Sequence, residues 1–383
     1  MKNFLDKITD FVLTILKPFL RLAVRLTFDI ETSGYKINKK REPFILIGNH
    51  VTTWDAFIVS YDINYPIRFL ATEISFLDFG KRITMGWLAR TIKKRVGKSD
   101  TLAMRQMLSY IEKGYAIGFF PEGDDTFDGE TLDIYSNTGR FLKLCNLDII
   151  LVKSKGTHLH NPRWADNHAK RKKIFTETEI LLTKEDLKSL SAEEVKLKVE
   201  KAIYHNDYEW QRQNMINYAR KNKAEGIERL IYYCNKCGSV LSVFGNGSNI
   251  ECRKCGVIGR INDYGFIEDN KFDNLVDYNK DQYKHIEEVI KSEFSFDITL
   301  NIIDFKKVKN IKQGKYKLKY KDKELLLYGE KDFIFKFENI KYPTKTMKNS
   351  FSFDYDEISY NITDCRHINV LYEINRYLNG SYK

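Results

Sequence analysis

Proline is scarce, with 6 in 383 residues, and no long uncharged apolar run exists. The most hydrophobic stretch, residues 4–26, is broken by Lys7, Asp10, Lys17, Arg21 and Arg25, and its longest uncharged piece is 11–16. A membrane span needs ~20 mostly apolar residues. A signal peptide needs an unbroken apolar region of ~7–15 residues before a small-residue cleavage site. Neither is expected here. Cysteine is too sparse for a disulfide scaffold: of six, four form two Cys-x-x-Cys pairs, which points to a reducing compartment and to metal. No internal repeat is visible. What is present is 43% hydrophobic and 14% aromatic residues, enough to bury sizeable cores and to exclude a wholly disordered chain. At ~150 residues per domain the length suggests two to three domains. A net charge of +11 suits a polyanionic partner: nucleic acid, an anionic membrane surface or a phosphate-bearing substrate.

Within 1–27 the polar residues Asn3, Lys7, Asp10, Thr14, Lys17, Arg21 and Arg25 step by three or four, forming one helical stripe. Apolar residues fill the rest. A broad apolar arc with a basic stripe predicts a helix lying in a membrane interface, although a helix packed on a catalytic core also fits. Pro18 is expected to kink it or split it in two.

The apolar run 43–48 ends in Gly48 and reads as a buried strand. Asn49-His50-Val51-Thr52-Thr53-Trp54-Asp55 follows. His50 and Asp55 can meet only if His50 lies in the loop and Asp55 in the first turn of a helix, with Thr52 or Thr53 as N-cap. Thr52-x-x-Asp55 also fits a plain capping arrangement. The chemistry of the pair is coherent. Neutral imidazole can take a proton from an alcohol, and a carboxylate on its other nitrogen fixes the tautomer. No Ser or Cys nucleophile accompanies the pair, so an acceptor hydroxyl would attack directly.

A second apolar run, 115–120, precedes Phe120-Pro121-Glu122-Gly123. Asn-His-x-x-x-x-Asp followed by Phe-Pro-Glu-Gly, each after a predicted strand, resembles the glycerolipid acyltransferases of the 1-acyl-glycerol-3-phosphate acyltransferase kind. The resemblance covers about residues 1–215. It implies an α/β fold, a mixed sheet flanked by helices. It also implies acyl transfer from acyl-CoA or acyl carrier protein to a glycerolipid hydroxyl. His50 would be the general base and Asp55 its orienting partner. Glu122 and Gly123 would lie at the acceptor site, and amides near Gly123 would help hold the oxyanion. The family's phosphate-binding basic residue maps to Arg95, with Arg90 and Lys94 behind it. Residues 81–105 carry eight basic residues against one acid, Asp100. Two departures stand out. Asp124-Asp125-Thr126 replaces the family's Thr-Arg-Ser, and two carboxylates oppose a phosphomonoester. Arg140, in Ser-Asn-Thr-Gly-Arg, offers compensation. A lysophosphatidate-like acceptor is therefore less secure than acyl transfer itself. An EF-hand at 124–135 is excluded, since the twelfth position is Tyr135.

The run 148–153 reads as a further strand. His158 and His160 are expected to face solvent, and Pro162-Arg163-Trp164 to edge a substrate groove or membrane surface. Thr183 and Ser191 open two helices with acidic first turns. Cys234-x-x-Cys237-Gly238 and Cys252-x-x-Cys255-Gly256, joined through a hairpin at 243–248, predict a zinc ribbon holding structural Zn2+ through four thiolates. Lys236, Arg253 and Lys254 are basic, but no aromatic-rich surface accompanies them, so the ribbon suits a structural or docking role rather than nucleic-acid binding. A ribbon behind such a core resembles an uncommon bacterial variant of the family. Beyond it, a helix at 278–293, several alternating strands and a closing helix at 367–378 resemble a pleckstrin-homology or GRAM-type domain.

The expected organisation is an interfacial helix at 1–27, an acyltransferase domain at 28–222, a zinc ribbon at 223–267 and a β-rich domain at 278–383. The expected protein is a peripheral acyltransferase at the cytoplasmic face of the membrane, acting on a lysophospholipid or other glycerolipid acceptor. A nucleic-acid-binding zinc-ribbon protein and a non-catalytic lipid-binding scaffold are the rival readings.

Overall fold

The computed structural model describes residues 4–37, 42–77, 80, 82–94, 101–346 and 348–380. The chain forms two compact units, Met1–Pro162 with Ala169–Tyr218, and Arg163–His168 with Ala219–Lys383.

The first unit is built on helix α1 (Phe4–Thr27), strands β1 (Asp29–Gly34) and β2 (Ile45–Gly48), the one-turn helix α2 (Asp55–Val59), and strands β3 (Ile67–Thr72), β4 (Ile92–Lys94), β5 (Ala116–Phe119), β6 (Ile149–Lys155) and β7 (Lys173–Leu182). The sheet order is β1-β7-β6-β2-β5-β3-β4. Every pair is parallel except β6 with β7, so the sheet is mixed. β2 sits inside, with Ile45 opposite both Ile117 and Ile149. A strand covered on both faces reads as an unbroken apolar run, which is why 43–48 is legible. Ile45 and Ile47 join one core with Ile117, Phe119 and Leu142. Phe44 and Leu46 join the other, with Val59 and Ile63. Helices Lys184–Ser189 and Ala192–Ile203 begin in capping boxes at Thr183 and Ser191, as their sequences predict. The sequence reading does not place β7, whose Thr and Glu residues break the apolar pattern.

α1 is not split at Pro18 and runs continuously through it. Lys17 reaches the Ile63 carbonyl and Arg21 the Tyr61 carbonyl (2.8 Å), so both sides of the proline are anchored. Part of its polar stripe faces the protein, while Lys7, Thr14 and Arg25 are exposed. Asp6 and Thr9 are buried. Asp6 takes Lys113 (3.2 Å) and Arg90 (3.4 Å), and Asp10 takes Arg68 (2.6 Å) and the Tyr115 hydroxyl (2.6 Å). Phe4, Phe11, Phe19 and Leu26 are each about two-thirds exposed or more (78%, 67%, 65% and 65%). No helix among the described residues is long and apolar enough to cross a membrane.

In the second unit β8 (Val243–Asn246), β9 (Asn249–Cys252), β10 (Gly256–Ile261) and β11 (Ile267–Glu268) form an antiparallel sheet. The predicted helix at 278–293 is two helices, Leu275–Lys284 and Ile286–Lys291, interrupted at His285. A second antiparallel sheet has the order β15-β14-β13-β12-β18-β17-β16. Its strands are β12 (Phe294–Asp304), β13 (Lys309–Lys321), β14 (Glu324–Tyr328), β15 (Phe333–Lys336), β16 (Lys341–Thr346), β17 (Ser350–Tyr355) and β18 (Ile358–Thr363). It curls until Phe335 on β15 meets Phe353 (5.2 Å between ring centres) and Tyr360 (4.8 Å). Tyr316, Leu318 and Tyr320 point inward, as their alternation predicts. The closing helix is Ile368–Leu378. Arg163 and Trp164 edge no groove. Both are buried in this unit, where the Trp164 carbonyl accepts from Arg229 (2.8 Å) and the Arg163 guanidinium donates to the Lys345 carbonyl (2.8 Å).

Candidate active site

β2 ends at Gly48 and delivers Asn49 and His50 to the edge of the sheet. Asn49 is buried, and its amide group bonds the Ser154 backbone both ways (2.9 and 2.8 Å), which locks the start of the loop to β6. His50 follows with its ring stacked on Phe120 (4.4 Å between centres, 21°). Its Nδ1–H donates to Asp55 Oδ2 at 2.8 Å. The same oxygen accepts the Val51 (2.5 Å) and Thr52 (2.9 Å) amides. A carboxylate held by three N–H donors keeps the imidazole in one orientation and one tautomer, and leaves Nε2 available to a substrate proton. Side-chain exposure is 21% for His50 and 1% for Asp55, so the ring is reachable while its partner is not.

The capping expectation is met in part. The residue directly before α2 is Trp54, with no side-chain cap, but Thr52 Oγ1 accepts the Trp54 amide (2.9 Å) and Asp55 Oδ2 accepts the Thr52 amide (2.9 Å). Asp55 therefore holds the loop amides and the His50 ring together. Burial works against charge on His50, but the Asp55 hydrogen bond and charge, with Asp125 and Glu122 adding, push its pKa up to about 9.

Glu122 is a clamp. Its two oxygens accept the backbone amides of His50 (2.6 Å) and Leu132 (2.7 Å). Burial raises its pKa to about 8, against those two hydrogen bonds and the His50 charge. Thr126 N–H also donates to the His50 carbonyl (3.1 Å), so the loop after Glu122 is tied to His50 at a second point. Gly123 has φ +76, and a Cβ there would lie 2.2 Å from the Tyr135 ring, so only glycine fits. The Gly123 amide itself donates to the Phe120 carbonyl (3.1 Å), which removes it from the expected oxyanion role.

The basic residues are dispersed. Lys94 lies over the Tyr135 ring (4.8 Å), beside the Gly123 turn. Arg90 is directed to Asp6 of α1, in a backbone conformation with φ +52. Arg140 stands exposed on the helix Thr138–Cys145. Arg95 lies outside the described residues. His158 and His160 are fully buried, contrary to expectation. The His158 amide, the Gly156 amide and His205 Nε2 all donate to Asp207 (2.7, 2.6 and 2.7 Å). Asp207 and Asn49 carry structural weight that nothing in the sequence announces. Their signal, a short polar residue at the first turn of a helix or just after a strand, is too common to single them out.

In the second unit the sulfur atoms of Cys234, Cys237, Cys252 and Cys255 all lie within 4.8 Å of one another. The separations Cys234–Cys255 and Cys237–Cys252 are both 3.7 Å. A tetrahedral ion with metal–sulfur bonds of ~2.3 Å needs sulfurs ~3.8 Å apart, so the four thiols fit one. Ser242 and Ser239 hydroxyls lie against Cys252 Sγ (3.2 and 3.4 Å), and these with the Lys254 and Cys255 amides pull its pKa down despite burial, while burial and the neighbouring sulfurs push Cys255 up. A hydrogen-bonded outer shell around the sulfur is what a metal ligand requires. Gly238 (φ +71) and Gly256 (φ +76) make the turn after each pair, as their positions predict.

Residues 29–152 match the family model described as Acyltransferase. Among solved structures the chain is similar to the 1-acyl-sn-glycerophosphate (LPA) acyltransferase PlsC from Thermotoga maritima, at 21% identity and a TM-score of 0.45, over 57% of this chain and 86% of that one. No curated protein matches the chain.

Proposed function

Given the acyltransferase domain that this chain carries over residues 29–152, we propose that it transfers an acyl group from acyl-CoA or acyl carrier protein to a hydroxyl of a lysophospholipid-type glycerolipid. The observation that carries the reading is the His50–Asp55 pair at the end of β2, with Nε2 left to the substrate. The acceptor hydroxyl gives its proton to Nε2 as its oxygen bonds to the thioester carbonyl carbon. The tetrahedral intermediate then expels the thiolate, which takes the proton back from the imidazolium. No covalent enzyme intermediate is needed. Asp55 orients the ring and stabilises its cation, and Glu122 holds the His50 backbone in place.

The reaction needs neutral His50. Its free-enzyme pKa is about 9, so kcat/KM rises with pH through neutrality and levels only above that value. His50→Ala lowers kcat by ~10²–10⁴-fold while the urea midpoint stays near that of the parent. Full activity in that variant, or a flat profile from neutral to alkaline pH, overturns the mechanism.

The outward apolar face of α1 supports peripheral attachment to the cytoplasmic face of a membrane, with Asp6, Asp10, Lys17 and Arg21 turned to the protein and its hydrocarbon offered to lipid. The four-cysteine cluster is a structural Zn2+ site. Elemental analysis of protein purified without added metal should give a single zinc per chain, and Cys252→Ser together with Cys255→Ser should abolish it. Zinc retained at full stoichiometry in that variant rejects the assignment.

A further inference from the structure

The hairpin β12–β13 is longer than the sheet it belongs to. β12 pairs with β18 only from Thr299 to Ile302, and β13 pairs with β14 only from Lys317 to Lys321. From 303 to 310 the hairpin has no other strand beside it among the described residues, so its end stands out as a two-stranded arm. The ribbon buries Ile303 and half-buries Phe305 and Val308, and its remaining, exposed side chains report what it meets. Between 306 and 321 there are eight lysines and no acid. Lys319 and Lys321, back on the sheet, share Glu293 (3.0 Å each). Lys306, Lys307, Lys309 and Lys312, on the arm, are exposed and make no ion pair among the described residues. One acid, Asp304, closes β12 at the turn opposite Lys309; its carboxylate takes the Lys307 backbone amide (3.0 Å) and its charge offsets part of that of Lys307 and Lys309.

The arm is also strained and partly apolar. Val308 holds φ +49, a left-handed conformation that its branched β-carbon disfavours. Ile311 is 41% exposed. The exposed side chains between 306 and 312 are four lysines, Asn310 and Ile311. The ring on the arm, Phe305, is only partly exposed, and no fully exposed ring accompanies the lysines to stack on a nucleobase. Lysines whose stems flank an aliphatic residue match the boundary between anionic headgroups and acyl chains.

We propose that this arm is a docking surface for an anionic lipid bilayer. It supplies charge-selective attachment, distinct from the apolar face of α1, which does not discriminate by charge. The inference rests on the membrane reading only in taking a lipid surface as the place of action, and the two fail differently. Neutral vesicles report on the apolar face of α1, and the part of the anionic excess that the arm variant removes reports on the arm.

The test is co-sedimentation of the full chain with phosphatidylcholine vesicles and with vesicles containing ~30 mol% phosphatidylglycerol, at low salt and at ~0.5 M salt. The parent should bind the anionic vesicles at least ~tenfold more tightly, and the excess should vanish in high salt. Lys306→Glu, Lys307→Glu, Lys309→Glu and Lys312→Glu together should remove the excess and leave neutral binding unchanged. A control with Lys271→Glu, Lys280→Glu, Lys284→Glu and Lys291→Glu, matched in net charge, should keep most of it. If the first variant does not fold, glutamine at the same four positions is the test, with thermal melting as the check. Equal binding of the parent to both vesicles overturns the proposal. So does an unchanged excess in the arm variant, or an equal loss in the control. Retardation of duplex DNA or RNA that the arm variant abolishes, with vesicle binding intact, overturns it in favour of nucleic acid.

Discussion

α1 and the closing helix Ile368–Leu378 are both strongly amphipathic, and they are turned opposite ways. The closing helix buries Ile368, Val370, Leu371 and Ile374 and leaves Tyr377 exposed, as a helix on a soluble core should. α1 buries Asp6 and Thr9 and exposes Phe4, Phe11, Phe19 and Leu26. Periodicity fixes the angle between two faces of a helix. It does not say which face meets the protein. That is decided by the partner surface, which for α1 is a set of cations and hydroxyls: Arg68, Arg90, Lys113 and Tyr115.

The largest effect that would break this contrast is at Arg68. It is buried, pairs with Asp10 at 2.6 Å and lies over the Tyr115 ring at 4.2 Å. Arg68→Ala leaves Asp10 without its cation and should cost ~3–5 kcal/mol in urea unfolding, with faster proteolysis of α1. A loss under ~1 kcal/mol would show that the polar face does not hold the helix. Next is Leu371→Ala in the closing helix, which should cost ~2–5 kcal/mol by the ordinary cavity mechanism. A neutral outcome there would remove the contrast from the other side. The smallest effect on folding belongs to the outer face of α1. Phe11→Ser with Phe19→Ser should change stability by no more than ~0.5 kcal/mol while sharply reducing binding to neutral vesicles. A loss above ~2 kcal/mol would mean that these rings pack inside the folded protein.

The same distinction marks what was legible in the sequence. β2, β5 and the first four residues of β6 announce themselves because both faces are covered there, so every position is apolar or glycine. The loop after β2 is legible because His50 and Asp55 can meet in only one local geometry. The four cysteines are legible because the Cys-x-x-Cys spacing leaves little else for them to do. Residues whose partners lie far along the chain are not readable this way. Arg90 carries the same charge as Lys94, yet one turns to Asp6 and the other to Tyr135. Glu122 is an acid in a loop by sequence. Only the fold shows that both its oxygens are occupied by backbone amides. His158 and His160 lie in a segment that looks solvated and is sealed by Asp207 and Phe28.

The Glu122 clamp carries a thermodynamic consequence. Its carboxyl titrates near 4.5 when unfolded and near 8 when folded, so folding takes up hydrogen ions around neutrality. Its contribution to stability is fully present below the unfolded value and is lost as pH rises through the folded one. His50, raised from 6.5 to about 9, also takes up a proton on folding in this range. The heat of unfolding near pH 7 should therefore vary with the ionisation enthalpy of the buffer, and the Glu122→Gln chain should lose about half of that variation, the rest staying with His50.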